Sequence, residues 1–292
     1  MTIGIGIGLA FVAMLCWGFG DFLIQKSTRK LGDWETLFLI TGFGAVVLLP
    51  FVWHSLPDLF AGDGPGLIVL CGAALVLLLA ALLEFEALRR GKLAVVEPIW
   101  SFEIPAAALL SYFLLDEHIS TTQIILAIFL IICLALVSFR GKRFTVSFFL
   151  ERGVIISFIS ALVMGCANFF MGWGGRVTDP ITVNFFTDAV LMIICGLYLA
   201  YQGRLRKTFF DLRHGYATII PMSVADKVAW LAYVTSMALI PIAVATALSE
   251  SYIIIAVLLG LFVNKEKLQR HQKIGLVGAI IAAVVLASTT SV

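Results

Sequence analysis

Ten apolar stretches of about 18 to 24 residues, parted only by short charged or turn-forming segments, run the length of this chain. At 1.5 Å per residue, each is long enough as a helix to cross about 30 Å of hydrocarbon. They fall at about residues 3–24, 34–54, 66–88, 93–115, 121–139, 153–172, 181–201, 215–238, 243–262 and 273–290. Composition agrees: 61% of residues are hydrophobic and only 13% charged, with a mean hydropathy of +1.05, outside the range of a soluble domain. No polar stretch is long enough for a separate soluble domain. The expected fold class is therefore an all-α integral membrane protein with ten transmembrane helices, its function lying within the bundle. The first stretch has no basic flank and is too long for a signal-peptide core, so it is expected to remain as a span.

The basic residues divide unevenly among the loops. Clusters such as Lys26, Arg29 and Lys30, or Arg204, Arg206, Lys207 and Arg213, place 18 of the 20 lysines and arginines in odd-numbered loops. The even-numbered loops hold Arg176, and Lys227 lies within a span. The positive-inside rule puts the basic loops in the cytoplasm of a plasma (inner) membrane protein and both termini outside. The net charge of +2 is then a topology signal, and a nucleic-acid partner is disfavoured.

An internal repeat runs through the chain. A shift of 149 residues carries Asp116-Glu117-His118-Ile119 onto Lys265-Glu266-Lys267-Leu268, Gln123 onto Gln272, and Ala94-Val95 onto Ala243-Val244. Nearer the start the offset is 147, matching Gly18 with Gly165, Asp21 with Asn168 and Phe22 with Phe169. Each half holds five spans, an odd number, so the second enters the membrane inverted relative to the first. The expected domains are residues 1–140 and 153–292, joined by a basic cytoplasmic linker at 141–152. Inverted repeats characterise secondary transporters, whose site lies between the halves near the midplane.

Both halves open with a glycine-containing aromatic helix, Trp17-Gly18-Phe19-Gly20-Asp21-Phe22 and Gly165-Cys166-Ala167-Asn168-Phe169. Each then shows a small pair before a short break (Ala87-Leu88; Ser236-Met237), a long helix ending in a Glu-bearing turn, and a last helix beginning after the matched Gln. The order of these features resembles the EamA-like branch of the drug/metabolite transporter superfamily across essentially the whole chain. That resemblance implies ten helices, two inverted repeats, and export or exchange of small metabolites through a central cavity. In one respect the chain departs from it: many relatives place their termini in the cytoplasm, whereas the charges here argue the opposite.

Charged groups inside the spans point to the site. Each charged side chain at a helix centre costs roughly 2.5 to 3.5 kcal/mol on insertion. Lys227, Asp226, Glu250 and Glu103 together cost on the order of 10 kcal/mol unless they face one another, water or a ligand. In the fourth span Glu97, Ser101, Ile104 and Ala108 share one face, and Glu103 lies about 120° away at mid-depth. Pro105 leaves the Ser101 carbonyl without its usual amide partner. In the ninth span Glu250 maps onto Ser101 and Tyr252 onto Glu103, placing acidic and hydroxyl groups at matching depth on two related helices. Lys227 reads either as a docking charge for a carboxylate or phosphate, or as the permanent partner of Glu250, Asp226 or Asp188. Trp230 and Tyr233 follow it at three-residue spacing as a candidate aromatic wall. Trp17, Asp21 and Asn168 are candidate gate residues at the cytoplasmic side. Glu84 and Glu86, just ahead of Arg89-Arg90, read as pairing with those arginines or reaching headgroup water.

Asp21, Glu97, Glu103, Asp188, Asp226 and Glu250 make six intramembrane carboxyls against one lysine. A carboxyl left without a cation is expected to bind a proton, the minimum equipment for proton-coupled transport. Glu97 and Glu250 are the candidates for that part. Glycines and prolines supply packing faces and kinks: Gly4, Gly6 and Gly8 in span one, and Gly275, Ala279 and Ala283 in span ten, read as close-approach faces.

The reading favoured by the residues is a secondary active transporter, exporter or exchanger, for small polar metabolites such as amino acids, with protons as a candidate coupling ion. An organic-cation exporter is the alternative within transport, and a receptor or structural subunit without flux is the alternative outside it. An enzyme is disfavoured: there is no nucleophile–base pair, no metal-ligand spacing, no cofactor motif and no nucleotide-binding loop. The five cysteines all fall inside spans and read as packing residues.

Overall fold

The computed structural model describes residues 2–61, 66–90, 99–138, 152–255 and 269–290, and all regular structure among them is helical. The helices are α1 (Thr2–Leu31), α2 (Asp33–Val52), α3 (Leu56–Ala61), α4 (Gly66–Arg90), α5 (Glu103–Leu115), α6 (Thr121–Ser138), α7 (Arg152–Val177), α8 (Pro180–Tyr201), α9 (Leu205–Leu239), α10 (Ile242–Ser249) and α11 (Arg270–Thr290). Seven of them are long and apolar enough to cross a membrane, and shorter apolar helices cover Glu103–Leu115, Thr121–Val137 and Ile242–Ile255. Among the described residues these make the ten apolar helices that the hydropathy pattern demands; α3 is a short connection. The expected linker at 141–152, apart from its last residue, and the Lys265-Glu266-Lys267-Leu268 turn lie outside the described residues.

The distribution of side chains is that of a chain solvated by lipid. Phe51, Ile68 and Phe113 are each more than 70% exposed, whereas Asp21, Glu103, Asp188, Asp226, Lys227 and Glu250 are buried. The multi-pass membrane assignment follows from both observations, because only an apolar solvent reverses the usual ordering.

Two boundaries differ from the hydropathy reading. Span one continues to Leu31, and α9 begins at Leu205, some ten residues earlier than expected. Its 35 residues extend about 52 Å, so the end carrying Arg206, Lys207, Asp211 and Arg213 projects past the hydrocarbon. Charge marks where a helix leaves lipid; it does not stop the helix.

A third difference bears on the site. Spans four and nine are each interrupted. The chain is helical at 99–100, turns at Ser101 and Phe102, and resumes as α5; α10 ends at Ser249, turns at Glu250 and Ser251, and the chain is helical again at 252–255. The breaks coincide under the 149-residue offset. In the first, Pro105 cannot donate to the Ser101 carbonyl, which is not orphaned as expected but accepts from the Ile104 amide at 3.3 Å in a tight turn. In the second, Ser249 and Ser251 donate to the Thr246 and Ala247 carbonyls at 3.1 and 3.0 Å, competing with the helical ladder.

Helix pairings cross between the halves: α1 packs along α9, α4 along α7, α2 along α8 and α6 along α11. Glycine contacts obey the same relation. A Cβ at Gly165 would lie 2.5 Å from the Ala106 Cβ and 2.8 Å from the Glu103 carbonyl oxygen. A Cβ at its repeat mate Gly18 would lie 2.9 Å from the Ile255 Cβ and 3.5 Å from the Tyr252 carbonyl oxygen. Each half thus presses a glycine onto the break of the other. Gly275 is likewise tight against the Cys133 carbonyl, where a Cβ would sit at 2.7 Å. The expected Gly4–Gly6–Gly8 face does not form. Among the described residues only Gly6 of the three meets neighbours, Leu239 and Ile240, because residues two apart on a helix point to nearly opposite sides.

Candidate functional site

Where the interrupted spans meet α1, α2, α4, α7, α8 and α9, the bundle forms a partly open cavity. It offers about 80 Å³ of space to the centres of water-sized spheres, several times the 10–15 Å³ or so that one water requires on that measure. Its polar lining comprises Asp21, Glu84, Glu103, Asp188, Asp226 and Glu250, with Lys227, Asn168, Asn184, Thr41 and Thr187.

Helical spacing brings these groups together. Asn184, Thr187, Asp188 and Leu191 occupy i, i+3, i+4 and i+7 of α8 and form one face. Lys227 and Trp230 are one turn apart on α9, with Asp226 beside them. Of the three carboxyls offered by sequence as partners for Lys227, the structure selects Asp188, in an ion pair with both side chains nearly fully buried. α2 makes room for it: a Cβ at Gly44 would overlap Asp188 Oδ2 and Lys227 Cε. Asn168 donates from Nδ2 to Glu103 Oε2 at 3.0 Å, fixing that carboxylate at the start of α5.

Trp17 and Trp230 line one side of the cavity and pack edge-to-face with centroids 5.4 Å apart; Tyr233 lies behind them, 5.0 Å from Trp17 and 5.9 Å from Trp230. The Tyr233 hydroxyl is 2.6 Å from Thr246 Oγ1, whose own proton goes to the Ile242 carbonyl at 2.8 Å, so the tyrosine donates. Fully buried, Tyr233 supports the aromatic wall without lining the cavity.

Beyond this wall the two halves are fastened together. Arg176 at the end of α7 donates from Nε to the Met237 carbonyl at 2.8 Å, and from Nη2 to the Ile240 carbonyl at 3.1 Å and to Glu117 Oε1 at 2.5 Å. Glu117 accepts from the Ile242 amide at 3.1 Å on each oxygen. A cation thus caps the carbonyl end of α9 and an anion the amide end of α10, each matching the sign of its helix dipole. At the opposite end, Arg204 pairs with the buried Glu35, and Arg89 pairs with Asp33 and Glu86.

Of the residues singled out in the sequence, Glu103, Asp188, Asp226, Lys227, Trp230, Glu250 and Tyr252 line this cavity, as do Trp17, Asp21 and Asn168. Ser101 and Tyr233 do not; both are wholly buried in packing. Glu97 lies outside the described residues. Asp21, expected near a span end, sits ten residues before the end of α1 and turns inward, because that helix is longer than its apolar stretch. Glu84 too departs from its sequence reading. Glu86 pairs with Arg89 and Arg90 as expected, but Glu84 lines the cavity. The signal was present: helix neighbours lie three and four residues on, which gives Glu86 both arginines and gives Glu84 only Ala87 and Leu88. Among the described residues no cluster of three or more His, Cys, Asp or Glu is placed to hold a metal ion.

The comparisons with known proteins agree with this architecture. A solved crystal structure of another protein superposes with a TM-score of 0.75, covering 98% of this chain and 97% of that one at 14% identity, a likeness of fold. An uncharacterized transporter of Archaeoglobus fulgidus is 20% identical over 205 residues, 70% of each chain. The EamA-like transporter family model matches twice, over residues 4–139 and 151–288. With nearly its whole length matched in two tandem segments, the chain belongs to the EamA-like transporter family.

Proposed function

We propose that this membrane protein is a secondary carrier that moves small polar metabolites by exposing the central cavity alternately to the two sides. One observation carries the reading: an ionisable cavity sits where two repeat-related helices are interrupted at matching positions. At these breaks the ionisable side chains of Glu103 and Glu250 line the cavity, as at the interrupted helices of a repeat interface, and irregular backbone at membrane depth is tolerated only beside protein or water. The ion-paired contacts on either side of the cavity, Arg176–Glu117 and Arg204–Glu35, join one half to the other and are suited to breaking in turn. Surplus carboxyls make protons the natural coupling ion. In this reading the odd-numbered loops face the cytoplasm of the plasma membrane.

The test is counterflow in proteoliposomes preloaded with unlabelled amino acids or organic cations, with and without a pH gradient. Saturable accumulation of label supports a carrier, and its dependence on the gradient supports proton coupling. Absence of flux for every solute, with the protein folded and oriented, would leave a receptor or structural subunit as the better account.

A further inference from the structure

Resting on the carrier reading, we infer that the cavity takes its solute by a positively charged amine and has no cation free to hold a carboxylate. Lys227 is the one basic side chain lining the cavity among the described residues, and it is committed to Asp188. The Gly44 backbone of α2 packs against both partners and leaves no room there for a side chain. Three further lining carboxyls, Glu84, Glu103 and Glu250, have no basic partner among the described residues, and a fourth, Asp226, shares Lys227 with Asp188. Glu84 lies within electrostatic reach of the other three.

A second observation points the same way. Asn184, a lining residue, is 1% exposed; its Nδ2 is spent on the Pro180 carbonyl at 2.8 Å, and its Oδ1 is buried without a partner among the described residues. A buried unpaired acceptor is costly unless a donor arrives, and an ammonium group brings three. Trp17 and Trp230 also line the cavity, and an aromatic lining favours a cation over an anion. Trp100, another lining residue, has a buried Nε1 donor without a partner among the described residues; it is neutral and suits a hydroxyl or carbonyl oxygen of the same solute. A single indole N–H does not offset the desolvation of a carboxylate.

Three probes sharing one skeleton separate the charges: phenethylamine, with an amine alone; hydrocinnamate, with a carboxylate alone; and phenylalanine, with both. Each is titrated calorimetrically into the full chain in nanodiscs. Phenethylamine is expected to bind at least about tenfold more tightly than phenylalanine, and hydrocinnamate not to bind. Hydrocinnamate binding as tightly as the amine, phenylalanine binding more tightly than it, or failure of the amine to bind overturns the inference. In the Glu84→Gln variant, which keeps the side-chain volume, phenethylamine affinity is expected to fall about tenfold. In Asp188→Asn, which frees Lys227, hydrocinnamate binding is expected to appear. Unchanged amine affinity in the first variant, or no gain of carboxylate binding in a second variant that melts like the parent, equally counts against it. Flux of some solute without amine binding would remove this inference and leave the carrier; amine binding without flux would do the reverse.

Discussion

Replacing Arg176 with Met removes the cation that joins the ends of α7, α9 and α10 while keeping most of the apolar stem. The substitution deletes three hydrogen bonds from a charged donor, to the Met237 and Ile240 carbonyls and to Glu117. Fully buried, each bond of this kind contributes about 1.5–3 kcal/mol. The arginine side chain is 28% exposed, so water replaces part of that, and a total of about 2–4 kcal/mol is the sensible expectation. For a chain of this size each kcal/mol moves the melting temperature by about 2 °C, so thermal unfolding in detergent should come about 4–8 °C earlier. Glu117→Gln weakens the cap on α10 and is expected to cost about 1 kcal/mol by itself. Since each variant already breaks the shared pair, the double variant should fall short of the sum of the singles by about 1 kcal/mol. A melting temperature of Arg176→Met within about 1 °C of the parent, or strict additivity in the cycle, refutes the claim that these groups act as one fastening between the halves.

Packing supplies a second contrast. Gly165→Val forces apart α7 and the α5 backbone and should cost about 3 kcal/mol or more, whereas Gly4→Ala, in open space on α1, should gain about 0.5–1 kcal/mol from helix propensity; melting curves of the two variants check the pair. Gly44→Ala meets the mobile ends of Asp188 and Lys227 rather than backbone, so it should leave stability within about 1 kcal/mol while abolishing counterflow by driving the ion pair into the cavity. Asn168→Leu leaves the buried Glu103 without its donor and should cost about 1–3 kcal/mol in thermal unfolding. Single cysteines at Gln202 and at Thr178, in a cysteine-free background, should label with an impermeant maleimide from the cytoplasmic and outer faces respectively; the reverse pattern refutes the charge-derived orientation.

Different parts of the molecule were legible to different degrees. The apolar stretches identified the spans well, since partition into lipid depends on local composition. They misjudged the ends of α1 and α9, since a helix outruns its apolar stretch wherever charged side chains reach water. The repeat offsets anticipated a relation that the structure displays at atomic scale, in Gly18 against Tyr252 and Gly165 against Glu103. Glu84 was within reach of an argument from helical spacing and was placed wrongly because Glu86 beside it has the arginines. The choice of Asp188 for Lys227 was not within reach: Asp226 adjoins the lysine in sequence but points about 100° away, while Asp188 comes from another helix.

What the chain alone determined is therefore what depends on neighbours in sequence: the apolar spans, their helical character, the two-fold internal relation, and the surplus of carboxyls over bases in the hydrocarbon. Tertiary structure decided which of those carboxyls share one cavity, which one holds the lysine, and where two helices break. Those outcomes depend on the rotation of each helix about its axis and on which helix lies beside it. Both are set by contacts between residues far apart in the chain, such as the glycines of one half seated on the turns of the other.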